Sequence, residues 1–224
     1  MNKILNPAWL CLAITTIILS CAATPETREN LPAKTIHYAS FSGGNPGINI
    51  PERPSKPAVP EYIMGKGLLP AKDMTSFLLE TNPGAEKSYV EILALLYTEE
   101  AAIEGVNHDV AFAQMCLETG FLRFGGLVSS DMNNFCGLGS IGPGQNGESF
   151  PNPRTGVRAH VQHLKAYATD APLKQELVDP RYRYVRQGSS PAIKGLSGTW
   201  AADRSYAEKI DGILNRLYIL SFGV

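Results

Sequence analysis

The stretch VAFAQMCLETG, Val110 to Gly120, decides how the chain reads. Between Val110 and Leu117 only Gln114 is polar, and the run then meets Glu118, Thr119 and Gly120. An apolar run without alternation fits a buried strand or a buried helix equally well. Asn107 and Asp109 supply helix N-caps and Gly120 a C-terminal stop, so we read a short buried helix with Glu118 in its last turn. A carboxyl group there faces the negative end of the helix dipole and, half-buried, loses hydration; both effects favour its protonated form. That is what a general acid working near neutral pH requires. The alternative is a solvated helix-end residue, the usual state of a glutamate.

Downstream lies Asn133-Asn134-Phe135-Cys136-Gly137-Leu138-Gly139, amides and glycines that by themselves indicate a turn. Together with Gln114 to Gly120, this segment resembles the glucosaminidase domain of bacterial cell-wall hydrolases, glycoside hydrolase family 73. That family has a helix ending in Glu-Ser/Thr-Gly followed by an Asn-Asn-Leu-Phe-Gly-Ile-like segment. The resemblance continues through Phe150, Gly156 and Arg158 to Trp200, Ala201 and Tyr206, over roughly residues 85 to 220. It implies a mainly α (α+β) fold, a lysozyme-like helical domain with a small β-hairpin lobe beside a cleft. The hairpin is expected within Phe150 to Val157.

The resemblance also implies roles. Glu118 is expected to be the catalytic acid, with Asn133, Asn134 and Phe135 at the cleft as substrate-binding residues, the two amides holding acetamido groups or only bracing the turn. Trp200 would wall a sugar ring or simply fill the core. Tyr206 would position an acetamido group or water, or anchor the last helix, since it falls on that helix's apolar stripe. Glycoside cleavage ordinarily uses a second carboxylate. Glu148 is the nearest candidate, although its surroundings depart from the family motif and a solvated loop residue is the alternative. Without a second carboxylate, an N-acetylglucosamine unit supplies its own 2-acetamido oxygen as nucleophile.

The first 21 residues read as a lipoprotein signal peptide: Lys3, an apolar stretch from Ala8 to Leu19 too short to span a membrane comfortably, then Ile18-Leu19-Ser20-Cys21. The last four resemble a lipobox, which implies lipidation of Cys21 and a membrane anchor; an ordinary signal peptide with an incidental cysteine is the alternative. Residues 22–61, rich in Pro, Gly, Ser and Thr, read as a flexible tether. Residues 62–224 are expected to form the catalytic domain. Cys116 and Cys136 are then an even pair in an oxidising compartment, either bridged or buried thiols.

Within the domain, helices are expected over Asp73 to Glu80, Ala85 to Gly105 and Gly156 to Ala168. A last helix carries the stripe Tyr206, Ile210, Ile213, Leu214 and Leu217, with Asp203 as its N-cap. Glu99 and Glu100 are rivals for the catalytic role, read as a solvated helix face. His160 and His163 have i, i+3 spacing, but no nearby cysteine or carboxylate completes a ligand set, so no metal and no cofactor are expected. Arg181-Tyr182-Arg183-Tyr184 reads as a surface loop whose alternation suits stacking on sugars and holding anions.

A chain of 224 residues with 44% hydrophobic and 18% charged residues suffices for one packed domain plus appendages. Its net charge of −1 gives no reason to expect nucleic acid. The expectation is therefore a monomeric, lipid-anchored protein of the bacterial periplasm or cell surface, cutting the β-1,4 bond after N-acetylglucosamine in peptidoglycan strands. A muramidase or lytic transglycosylase on the same polymer, or a non-catalytic wall-binding lipoprotein, are the alternatives.

Overall fold

A computed structural model describes residues 56–142 and 145–223. The signal segment, Cys21 and nearly all of the expected tether lie outside the described residues. The domain is mainly α, with helices α1 (Ala71–Thr81), α2 (Lys87–Glu104), α3 (His108–Glu118), α4 (Pro153–Ala168) and α5 (Tyr206–Phe222).

Helix α3 is the hub, packing on α2, α4 and α5. Every residue from His108 to Cys116 is buried, as befits a helix apolar nearly all round. Its ends obey local chemistry: the Asn107 side chain accepts the Asp109 N–H at 3.0 Å, and Gly120 takes a left-handed φ of 59° just beyond it. Asp109 does not cap the helix. Its buried carboxylate accepts the N–H groups of Leu68 and Leu69 at 2.8 and 3.1 Å and the Tyr218 hydroxyl at 2.8 Å, fastening the chain before α1 and helix α5 to the start of α3. The expected stripe on α5 is buried throughout. Ser205 occupies the cap position of α5, and the Asp203 side chain accepts the Ser205 N–H at 2.9 Å instead of capping the helix itself.

The hairpin expected within Phe150 to Val157 is absent from that segment. The Asn152 side chain accepts the Thr155 N–H at 3.0 Å and Pro153 takes the first helical position, so α4 starts earlier than periodicity indicates. Paired strands lie instead in the glycine-rich segment that reads as a loop: β1 (Ser140–Gly142) runs antiparallel to β2 (Gln145–Asn146). The domain also begins before Tyr62. Lys56 bonds the Asn215 side chain at 2.9 Å and Val59 packs on the core, because an apolar residue beside that surface is better buried than left in a tether.

Glu100 does not lie on a solvated face. Glu99 is exposed, whereas Glu100 is buried and accepts from Arg154 at 2.7 Å, Arg158 at 2.9 Å and Gln175 at 2.9 Å. One turn on, Glu104 pairs with Lys165 at 2.8 Å and accepts the N–H groups of Lys174 and Gln175. These contacts moor the irregular segment after α4 to α2 and close one side of the domain.

Candidate active site

Glu118 is the last residue of α3, and the chain just beyond it is strained. Phe121, Leu122 and Phe124 adopt φ of 59°, 61° and 55°, a left-handed conformation that costs about 1–2 kcal/mol for each side-chain-bearing residue. The turn is held by Phe121 N–H to Cys116 O at 2.7 Å, Leu122 N–H to Thr119 Oγ1 at 2.9 Å and Phe124 N–H to Thr119 O at 2.8 Å. It lets the chain leave α3 sharply and places Phe124 in the wall of an open groove beside Glu118.

The groove has two chambers that share Cys136, Gly137, Ser140 and Trp200. The nearer, of about 330 Å³, is lined also by Glu118, Thr119, Phe124, Leu127 and Ala201. The farther, of about 230 Å³, adds His163, Tyr167, Arg181, Tyr184 and Val185. Among the described residues Glu118 is the only carboxylate lining either chamber.

One carboxylate oxygen of Glu118 is fully engaged. Oε1 accepts the Trp200 indole N–H at 3.0 Å and a short hydrogen bond from the Tyr206 hydroxyl. Oε2 lies over Gly137, where a Cβ would come within 3.8 Å of it. Burial pushes the Glu118 carboxyl above the usual carboxylate range, against the opposing hydrogen bonds of Tyr206 and Trp200. With two donors already on Oε1, a proton held by this carboxyl would sit on Oε2.

Behind Tyr206 runs a buried chain that sequence reasoning missed. Gln114 Nε2 donates to the Tyr206 oxygen at 2.8 Å, so its Oε1 faces His160 Nε2 at 2.9 Å and must accept from it. His160 Nδ1, then bare, accepts the Tyr97 hydroxyl at 2.8 Å. Burial lowers the His160 pKa to about 3, so the ring is neutral and holds one tautomer. Every donor in the chain thus points towards Glu118. The one available signal was Gln114, the lone polar residue in an apolar helix, which needs a partner once buried.

The other expected site residues divide. Trp200 stands between the two chambers, its ring 5.1 Å from that of His163 and 5.3 Å from that of Tyr167. Asn134 touches the nearer chamber, but its amide is occupied: Nδ2 donates to the carbonyls of Leu138 and Glu148, both at 2.9 Å, and Oδ1 accepts the Leu138 N–H at 3.0 Å. Asn133, in the left-handed region, donates to Phe150 O at 3.0 Å. Both amides brace the turn. Phe135 does not reach the groove; it is fully buried in the core, against Gly156, because α4 approaches so closely that the ring is enclosed. Glu148 packs against Gly139 and does not line either chamber. Cys116 and Cys136 are buried free thiols, and burial pushes both up, so they stay protonated. His163 bonds Asp179 at 2.7 Å, and both nitrogens of His160 are engaged in the chain behind Tyr206. Among the described residues no helix is long and apolar enough to cross a membrane.

Comparison with known proteins agrees with the resemblance seen in the sequence. An uncharacterised protein of Borreliella burgdorferi is 44% identical over 156 residues, which cover 70% of this chain and 76% of that protein. Among solved structures, autolysin E of S. aureus in complex with the muropeptide NAM-L-ALA-D-iGLU is similar with 14% identity and a TM-score of 0.45, covering 70% of each chain. The catalytic domain of the autolysin Auto of Listeria monocytogenes has 16% identity and a TM-score of 0.40, covering 69% of this chain and 89% of that one. Residues 94–219 match the glucosaminidase family, described as mannosyl-glycoprotein endo-beta-N-acetylglucosaminidase. The chain belongs to the glucosaminidase family.

Proposed function

We propose that the chain is an endo-β-N-acetylglucosaminidase that hydrolyses the β-1,4 bond after N-acetylglucosamine in peptidoglycan, with Glu118 as general acid. The observation that carries this reading is the state of Glu118: a half-buried carboxyl lining an open groove, with neutral donors on one oxygen and the other beside Gly137 of the groove wall. Oε2–H would protonate the glycosidic oxygen as the bond from that oxygen to the anomeric carbon breaks. The carboxylate left behind would be stabilised by the Tyr206 and Trp200 donors already in place, which need no reorganisation.

Because Glu118 is the only carboxylate in the groove lining among the described residues, the reading favours the substrate's own 2-acetamido oxygen as nucleophile. It would attack the anomeric carbon to form a cyclic oxazolinium. Water would then open that ring, giving its proton to Glu118 and restoring the acid. Glu148 is thereby assigned to bracing the turn near Gly139 rather than to the chemistry.

Membership of the glucosaminidase family supports cleavage after N-acetylglucosamine. The choice of peptidoglycan is supported by the signal-like first 21 residues and the lipobox-like Ile18 to Cys21, which suit a lipidated envelope protein. Digestion of purified sacculi tests the proposal. New reducing N-acetylglucosamine ends are expected; reducing or anhydro-N-acetylmuramic ends would replace it with a muramidase or transglycosylase, and binding without turnover would replace it with a wall-binding module.

A further inference from the structure

The farther chamber contains a charge that the proposed chemistry does not use. Tyr182–Tyr184 form one turn of 3-10 helix, and Arg181, immediately before it, lines the chamber beside Tyr184 and Val185. Its backbone is fixed by the buried Asp179, whose Oδ1 accepts the Arg181 N–H at 2.8 Å while Oδ2 accepts from His163 at 2.7 Å. The guanidinium of Arg181 sits 4.7 Å from the centroid of the Tyr184 ring, and that of Arg183 sits 5.1 Å from the same centroid. Among the described residues neither guanidinium has a carboxylate within ion-pair distance, whereas Arg154 and Arg158 on α4 are both paired.

Asp179, the acid nearest in sequence, is spent on His163 and the Arg181 N–H and makes no ion pair with either guanidinium, so among the described residues the fork of Arg181 at the chamber wall is left without a carboxylate partner. The groove's own carboxylate lies in the other chamber, past Trp200. An arginine so placed presents a planar fork of N–H donors that matches a carboxylate better than a sugar hydroxyl. The aromatic partner beneath it restrains the fork without neutralising it. We propose that this chamber is a subsite for a carboxylate carried on the glycan, with Arg181 as its main contact and Arg183 reinforcing the field. The proposal rests on the peptidoglycan reading, which offers such a carboxylate in two alternative forms: those of the stem peptide where it is attached, and the lactyl group of the muramoyl sugar where the peptide has been removed and its amide bond opened. Arg181 then selects among N-acetylglucosamine polymers by charge, a task separate from proton transfer at Glu118.

The test uses the full chain carrying Glu118→Gln, so that strands bind without being cut. Its affinity is measured calorimetrically for soluble glycan strands with intact stem peptides, for strands stripped to the lactyl carboxylate by an amidase, and for strands whose carboxylates have been converted to carboxamides. Carboxamide strands are expected to bind about tenfold more weakly than intact ones, with the gap narrowing as salt rises. Adding Arg181→Gln should close the gap, and Arg181→Lys should restore part of it. Stripped strands that bind like carboxamide strands would name the stem peptide alone as the ligand; stripped strands that bind at least as tightly as intact ones would show that the lactyl carboxylate, set free when the peptide is removed, fills the subsite too. Equal affinity for charged and amidated strands, or an Arg181→Gln loss that is the same for both, would overturn the subsite. Turnover of the same strands by the wild-type chain is read separately. No cutting together with an Arg181-dependent preference would sink the hydrolase reading and keep the subsite.

Discussion

Two carboxylates on neighbouring helices, Glu100 on α2 and Glu118 at the end of α3, are both withdrawn from water, and they end in opposite states. Burial pushes Glu100 upward, but Arg158, Gln175 and Arg154 more than offset it and hold the group below the ordinary glutamate range. Burial pushes Glu118 upward too, and the neutral donors Tyr206 and Trp200 do not cancel it. Cationic partners turn a buried acid into a permanent anion that ties helices together. Neutral partners on one oxygen leave it able to hold and release a proton. On the proposed reading, the same atoms therefore serve architecture in one place and chemistry in the other.

Exchanging each for its amide should separate the two most widely. Glu118→Gln should lower kcat on sacculi about 10³-fold with the fold intact by circular dichroism. Glu100→Gln should leave kcat little changed and lower stability by about 2–3 kcal/mol in urea unfolding; this is below the cost of breaking a fully buried pair because its arginines keep access to water. A kcat collapse in Glu100→Gln would erase the distinction. The neighbouring pair extends the architectural side: Glu104 and Lys165 are both nearly inaccessible, so Lys165→Met should cost about 3–5 kcal/mol, measured by the same unfolding curve.

The two acids also differ in the sign of their pH dependence. Glu118 has a folded pKa above its unfolded value, so the native state binds the extra proton and stability declines as pH rises from the unfolded value through the folded one. Glu118→Gln should therefore be more stable than wild type above that window and gain nothing below it. Glu100 has a folded pKa below its unfolded value, so its contribution is complete above the unfolded value and is lost as pH falls through the folded one. Its amide variant should be destabilised at neutral pH and should converge on wild type in acid. Thermal melts over a pH series read both, and parallel curves would contradict the assignment.

The smallest expected effect sharpens the active-site half alone. Tyr206→Phe removes a donor from Glu118 Oε1 and should lower kcat about tenfold. It should also move the alkaline limb of the pH–rate profile upward, since the anion is then harder to form. A fall in rate without movement of that limb would reduce Tyr206 to a packing residue.

How much of this was legible in the sequence depends on the range of each interaction. The α3 run, its Asn107 cap, the glycine after Glu118 and the α5 stripe are local patterns, and each appears where the residues indicate. The hairpin lies elsewhere than the family pattern suggests because Asn152-Pro153 is a helix start, a stronger local signal. The sequence neighbours of Phe135 point to the cleft, yet its enclosure by α4 is a tertiary fact. Glu100 and the Gln114–His160–Tyr97 chain join residues 46 to 75 positions apart, and nothing in a single sequence pairs them.

Glu118 as an acid catalyst requires that it hold its proton where ordinary glutamates have lost theirs. Carbon-13 NMR of the side-chain carboxyl groups, assigned by comparison with Glu118→Gln, tracks that titration directly. The expected midpoint lies above that of a free glutamate and rises further in Tyr206→Phe. A midpoint at or below the free value, unmoved by that substitution, would contradict the assignment.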